Sequence, residues 1–407
     1  MINRLISTLP KFVDLTNTAH LELINETVDE LLTEFDNRKK LDEIEHKLIS
    51  RNDKSLIFIL QAIKIAKSKI LINQITEPVR VSVVFAVYKE NNRIRKNSEH
   101  PHGEDFLLRK VAQLENLFGN HPNFKWELIV VDDGCPEQSG QIAQDIIDKN
   151  QLNNKVKVLF LEQAIEQKLP IVNALSSTSD SQKGGAIAYG MWNAIQNSSD
   201  KNHIVIFTDA DLSTHLGQTG LLIHPLLKQD KLVAIGSRRE ETSVVVKTGT
   251  RNDRGKLFIY LWKRLIPNLG EIIDTQCGFK AFRKEILTEI IDDLIENKFA
   301  FDIELLLKAE LIKQHAIIKV PIAWIDSEAA STTTDIQPYL PMLKSIAKMY
   351  RKYFSPNPAS DKFAAFINAL DEHQFNQILN NIPPAIVNRE AFEFNDFDGV
   401  GVSDLKK

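Results

Sequence analysis

Val81-Ser82-Val83-Val84-Phe85-Ala86-Val87 is a β-branched, apolar run of strand length, and it starts just after Glu77-Pro78, where a different pattern stops. Upstream, between about residues 19 and 75, apolar positions such as Leu21, Ile24, Val28, Leu31 and Leu32 recur every three or four residues with charges between them and no Gly. That spacing predicts helices, so residues 1–77 read as an N-terminal helical extension and a new domain begins at 78. Downstream, further strand-like runs occur at Trp126–Val131, Val156–Leu161, His203–Thr208 and Leu232–Ile235, the earlier ones separated by amphipathic helix candidates. Strands alternating with helices predict an α/β fold with a mostly parallel central sheet and helices on both faces. Ligands of such sheets bind beyond the carboxyl ends of the strands.

The domain is expected to span 78–335, followed by a C-terminal amphipathic helix and appendage over 336–407. In Tyr339–Tyr353, the apolar Leu340, Leu343, Ile346, Ala347 and Met349 mix with Lys344, Lys348, Arg351 and Lys352. Such a helix reads in two ways, as peripheral membrane contact or as a solvated basic face on a packed helix. The 407 residues carry 43% hydrophobic and 26% charged residues and a net charge of −4, which fits a globular chain and disfavours a nucleic-acid partner. Cys135 and Cys277 are too few for a disulfide framework, no signal peptide is evident, and Lys64, Lys67 and Lys69 interrupt the most apolar stretch. The expected location is cytoplasmic, with peripheral membrane association as its variant.

Chemistry concentrates where the predicted strands end. His203-Ile-Val-Ile-Phe-Thr-Asp209-Ala-Asp211-Leu-Ser213 runs an apolar strand into two carboxylates one residue apart, a pair able to hold Mg²⁺ or Mn²⁺ while substrate phosphates complete the shell. Asp132-Asp133 repeats the arrangement before Gly134, either to accept hydrogen bonds from a nucleoside or to cap an Asp-Gly turn. Lys183-Gly184-Gly185-Ala186 opens a predicted helix whose free amides and lysine could meet a phosphate, or is a plain Gly turn. Arg238, Arg251 and Arg254 concentrate positive charge suited to an anionic ligand. Asp274-Thr-Gln276-Cys277-Gly278-Phe279-Lys280 brings a carboxylate, a carboxamide and a glycine into one loop, and Phe301-Asp302-Ile303-Glu304 follows on a helix. Two histidines near Gly103, His100 and His102, read as an exposed loop rather than a metal site.

Taken in order, Val81 to Glu90, Val130 to Gly134, Lys183 to Ala186, Thr208 to Ser213, Gly236 to Arg238 and Asp274 to Lys280 resemble family 2 glycosyltransferases of the GT-A fold. Within that family the loop after Asp274 and the later Phe301-Asp302-Ile303-Glu304 are most similar to dolichyl-phosphate β-glucosyltransferases and related polyprenyl-phosphate sugar transferases. The resemblance implies a nucleotide-sugar site lined by Ala86, Tyr88, Glu90, Asp132, Asp133, Lys183, Gly184, Asp209 and Ala210. It also implies a metal at Asp209 and Asp211, catalytic roles for Asp211 and Asp274, and acceptor contacts at Arg238, Arg251, Arg254 and Gln276. Ala86 stands where the family commonly has Pro, and Lys89 where it often has Asn. UDP-glucose is the donor the resemblance favours, with GDP-mannose the second choice, and the acceptor is a lipid phosphate or a small hydroxyl compound. The activity it implies is an inverting, metal-dependent transfer; from another class, a non-catalytic nucleotide-binding regulatory or scaffold protein is the alternative.

Overall fold

A computed structural model describes residues 1–196, 198–246, 252–326, 338–394 and 400–406. Seven strands form the central sheet: β1 (Val79–Val87), β2 (Phe124–Asp132), β3 (Val156–Phe160), β4 (His203–Thr208), β5 (Val233–Ser237), β7 (Phe279–Arg283) and β8 (Ile317–Pro321). Their order is β3-β2-β1-β4-β7-β5-β8, while β6 (Val244–Val246) and β9 (Ala323–Ile325) make a separate two-stranded parallel pair. All neighbours in the large sheet run parallel except β7, which lies antiparallel between β4 and β5. The predicted fold class is therefore observed, with β4 a residue-for-residue match to its expected bounds.

The insertion of β7 was not anticipated: Phe279 and Lys280 read as the end of a loop. Phe279-Lys-Ala-Phe-Arg283 carries alternating burial partners, so Phe279 and Ala281 face one hydrophobic core and Phe282 faces the other. The same alternation places Val81, Val83 and Phe85 on one face of β1 and Val84 on the opposite face. Because both faces are covered, both sets are apolar, which is why these strands read as continuous hydrophobic runs.

The N-terminal segment folds into the helices Thr18–Glu34, Arg38–Ile49 and Ile57–Asn73. The third is buried nearly all round, and its Phe58, Ile63 and Ala66 share a continuous core with Val81, Val83 and Phe85. Its lysines are paired inside the fold, where Lys64 lies 3.0 Å and Lys67 2.7 Å from the Glu45 carboxylate and Lys67 also contacts Asp42. No helix among the described residues is long and apolar enough to cross a membrane.

The helix Tyr339–Tyr353 forms as predicted, but its apolar Leu340, Leu343, Ile346, Ala347 and Met349 are buried in the core shared with the helix Phe301–Ile312. Lys348, Arg351 and Lys352 face solvent. Of the two readings of this helix, the packed helix with a solvated basic face is the one observed: its apolar side is occupied by protein and its charged side is exposed.

Candidate active site

The carboxyl ends of the parallel strands β1, β2 and β4 lie at one end of the sheet, where the segment 274–278 enters the antiparallel β7. As β4 ends, the Asp209 N–H donates to the Gly278 carbonyl at 3.2 Å, which ties the acidic turn to the loop before β7. A Cβ on Gly278 would stand 2.3 Å from both Asp209 carboxylate oxygens, so glycine is required for this approach. The Asp209 and Asp211 side chains are 33% and 21% exposed, and thus open toward solvent. Ala210 between them is buried.

Each carboxylate has a cationic partner. The Lys183 ammonium contacts Asp209 Oδ1, and the Lys183 N–H donates to Asp133 Oδ2 at 2.6 Å, so this residue joins the ends of β2 and β4. Its backbone is left-handed at φ +87°, following Gln182 at φ +53°, an uncommon conformation that bends the chain into the next helix. Asp211 Oδ1 accepts from the Ser213 N–H at 3.0 Å, and Oδ2 from Arg93 Nη1 at 3.4 Å. Its carbonyl accepts from the fully buried Lys110 ammonium at 2.7 Å.

The other expected nucleotide residues are arranged less uniformly. Asp132 Oδ1 accepts the Gly134 and Cys135 amides, both at 2.9 Å, and Oδ2 accepts the Gly140 amide at 2.7 Å, so its carboxylate is spent on the turn and on the start of the helix Ser139–Lys149. Asp133 retains a buried Oδ1 with no hydrogen-bond partner, and burial pushes its carboxyl up to about 6. Glu90 is turned to Arg93, which donates to it through Nε at 2.7 Å and Nη2 at 2.5 Å. Burial raises the Glu90 carboxyl against the opposing pull of that guanidinium. Tyr88 is exposed beside the Lys89 ammonium, and Ala86 is half-buried at the end of β1.

Of the amides expected to be free at Lys183–Ala186, three are engaged: besides Lys183 on Asp133, the Gly185 N–H donates to the Asn297 carbonyl at 2.8 Å and the Ala186 N–H to Ser181 Oγ at 3.1 Å. Gly184 itself packs on the backbone at Asn297 and Lys298, where a Cβ would clash at 2.5 Å.

In the acceptor half, Arg238 grips Asp274 with three donors: its N–H at 2.7 Å, Nε at 2.9 Å and Nη2 at 2.7 Å. Burial alone would raise the Asp274 carboxyl, but the Arg238 charge and hydrogen bonds hold it at about 2. The guanidinium stacks over the Trp324 ring, 5.3 Å from its centroid. Gln276 donates to Asp302 at 2.8 Å, and the buried Lys280 donates to the same carboxylate at 2.9 Å. Arg254 lies in the first turn of the helix Asn252–Lys263, which packs on the C-terminal helices, and Arg251 falls outside the described residues. Arg93, Glu104 and Lys110 were not foreseen. Their partners at Asp211 and Leu212 lie about a hundred positions away in the chain, so no local motif announces them.

No family model matches the chain. Among curated proteins, it is 28% identical to the dolichyl-phosphate beta-glucosyltransferase of Drosophila melanogaster over 264 residues, which is 63% of this chain and 70% of that protein. The corresponding human protein is 27% identical over 62% of this chain and 69% of its own length, and dolichyl-phosphate beta-glucosyltransferase ALG5C of Trichomonas vaginalis is 26% identical over 78% and 86%. The chain is a glycosyltransferase related to these enzymes. The sheet that this glycosyltransferase builds, with Asp209 and Asp211 at the mouth of β4, agrees with the family 2, GT-A resemblance. A crystal structure of Mycobacterium tuberculosis glucosyl-3-phosphoglycerate synthase superposes with a TM-score of 0.47 at 18% identity, covering 72% of this chain and 87% of that one.

The donor chemistry of this edge fits a hard divalent cation. Asp209 and Asp211 offer carboxylate oxygens at an accessible position, with lone pairs left over after their present contacts. No cluster of three His, Cys, Asp or Glu side chains able to hold a metal occurs among the described residues. Mg²⁺ and Mn²⁺ sites completed by substrate phosphates need only one or two carboxylates.

Proposed function

We propose that this glycosyltransferase moves a sugar, glucose by preference, from a nucleoside-diphosphate sugar to a phosphate acceptor, polyprenyl or dolichyl phosphate by preference, with inversion at the anomeric carbon. Residues 78–335 would carry the reaction, and the helices before and after would buttress the two faces of the sheet. The observation that carries this reading is the pairing of two accessible carboxylates at the end of β4 with an Asp274 that is fully engaged by Arg238. The relatives' names support glucose and a dolichyl-phosphate acceptor.

Asp209 and Asp211 would hold Mg²⁺ or Mn²⁺, which when bound supplies positive charge to the departing nucleoside diphosphate. Lys183, which contacts Asp209, would add its ammonium to the same leaving group, and Asp132 and Asp133 at the end of β2 would lie beside the nucleoside. In the displacement, an acceptor oxygen forms the new bond to the anomeric carbon while the sugar–diphosphate bond breaks, its electron pair leaving with the diphosphate. A hydroxyl acceptor must lose a proton in this step, whereas a phosphate oxygen need not. Asp274, held at about 2 with both oxygens on Arg238, is a weak base, which favours the anionic acceptor. Its place would be to anchor Arg238 for that acceptor's charge. Membrane docking would rest on charge, through the exposed Lys348, Arg351 and Lys352.

The test is UDP or GDP release by the purified chain from UDP-glucose and GDP-mannose, with Mn²⁺, Mg²⁺ or EDTA, and with polyprenyl phosphate or small hydroxyl compounds. Metal-dependent UDP release accelerated by polyprenyl phosphate is expected. Acceleration by hydroxyl compounds alone would replace the acceptor assignment, and no turnover with any donor would favour a nucleotide-binding protein without catalysis.

A further inference from the structure

The turn between β1 and the helix Phe106–Phe118 contributes a side-chain network to the Asp-x-Asp turn. Arg93 is nearly fully buried, spends Nε and Nη2 on Glu90 at 2.7 and 2.5 Å, and directs Nη1 to Asp211 Oδ2 at 3.4 Å. Its backbone carbonyl accepts the Glu104 N–H at 2.9 Å, and Glu104 Oε2 in turn accepts the Leu212 N–H at 3.3 Å. Lys110 holds the Asp211 carbonyl from the same side at 2.7 Å. Three side chains of one segment thus converge on two consecutive residues of another, while the Ser213 amide fixes Asp211 Oδ1 at 3.0 Å.

We propose that Arg93, with its charge balanced by Glu90, is a positioning residue that fixes the Asp211 carboxylate as a cation ligand. The proposal rests on the metal site assigned above to Asp209 and Asp211. A carboxylate offers about four lone-pair positions, and the Ser213 and Arg93 donors occupy two of them. The remaining two are oriented rather than consumed. Hydrogen bonds behind a ligand typically strengthen metal binding about 10- to 100-fold by fixing its rotamer. A bare guanidinium beside a ligand would do the reverse, because two cations near one carboxylate repel. The bidentate Glu90 contact decides between these outcomes: it returns a negative charge at closer range than Arg93 reaches Asp211.

The two accounts predict opposite signs. Mn²⁺ affinity of the full chain, read from the free-ion signal in electron paramagnetic resonance titrations, is expected to weaken about 10- to 100-fold in Arg93→Met. In Arg93→Lys, which keeps the charge but loses the fork, a smaller weakening is expected; in Glu90→Gln, weakening as well, because the uncompensated guanidinium moves onto Asp211. Unchanged or tighter Mn²⁺ binding in Arg93→Met overturns the proposal. If that variant does not fold, as judged by its far-ultraviolet circular dichroism and melting, unchanged affinity in Arg93→Lys overturns it instead. A wild-type chain that binds no Mn²⁺ sinks the metal assignment itself, whereas wild-type binding with unaltered affinity in the Arg93 variants sinks only the positioning role.

Discussion

Two ion-pair networks of the same fold differ in how exposed they are. Lys64 and Glu45, on the packed helices Ile57–Asn73 and Arg38–Ile49, are each about 1% exposed. Lys183 and Asp209, at the β4 edge, pair just as closely but are about a third exposed. Burial of the sealed pair drives the Lys64 ammonium down to about 8. The open pair keeps lone pairs facing solvent. Proximity of opposite charges therefore does not by itself separate the proposed site from a structural ion pair in this chain.

This contrast breaks if substitutions at the two networks have the same kind of effect. The largest effect is expected for Asp209→Asn, with UDP release falling at least about 100-fold while the melting temperature changes little. A large loss of stability there, with activity of the folded fraction preserved, would make Asp209 another structural ion-pair residue. Glu45→Gln should behave oppositely: stability falls by about 3–5 kcal/mol as Lys64 is left buried without its partner, and specific activity is retained. Denaturant unfolding checks this, and the double variant with Lys64→Met should recover much of the loss.

Asp274 sharpens the comparison, because it is sealed like Glu45 yet lies in the site. Its carboxyl is held at about 2, below the unfolded value near 3.9, so its ionised form stabilises the folded chain above about pH 4. That contribution, roughly 2.5 kcal/mol at neutral pH, is lost as pH falls from about 4 toward 2. Asp274→Asn should therefore be less stable than the wild type at pH 7, with the gap closing across that acidic window in pH-dependent unfolding. A gap that stays constant with pH would mean that the Arg238 pairing does not lower this carboxyl.

The strands β1, β2 and β4 were legible because each is an apolar run ending in a chemically distinct turn, and the carboxylates at those ends could be named from the chain alone. Neither the antiparallel β7 nor the use of Asp132 was legible to the same degree. Phe279-Lys280 follows a polar loop, and only its pairing with β4 and β5 makes it a strand. Asp132 fits both a ligand and a turn cap by residue type; the positions of the Gly134, Cys135 and Gly140 amides decide that its oxygens are capped. The Glu90 side chain likewise faces Arg93, a pairing its motif does not specify.

By itself the sequence determined the alternation of strands and helices, the two-faced burial of the sheet and the acidic turn after β4, because hydrophobic period and turn chemistry act over a few neighbouring residues. Tertiary structure alone decided which charges pair. Arg93 reaches Asp211 and Arg238 reaches Asp274 only after distant segments pack together, since an ion pair depends on distance through space and not on separation along the chain.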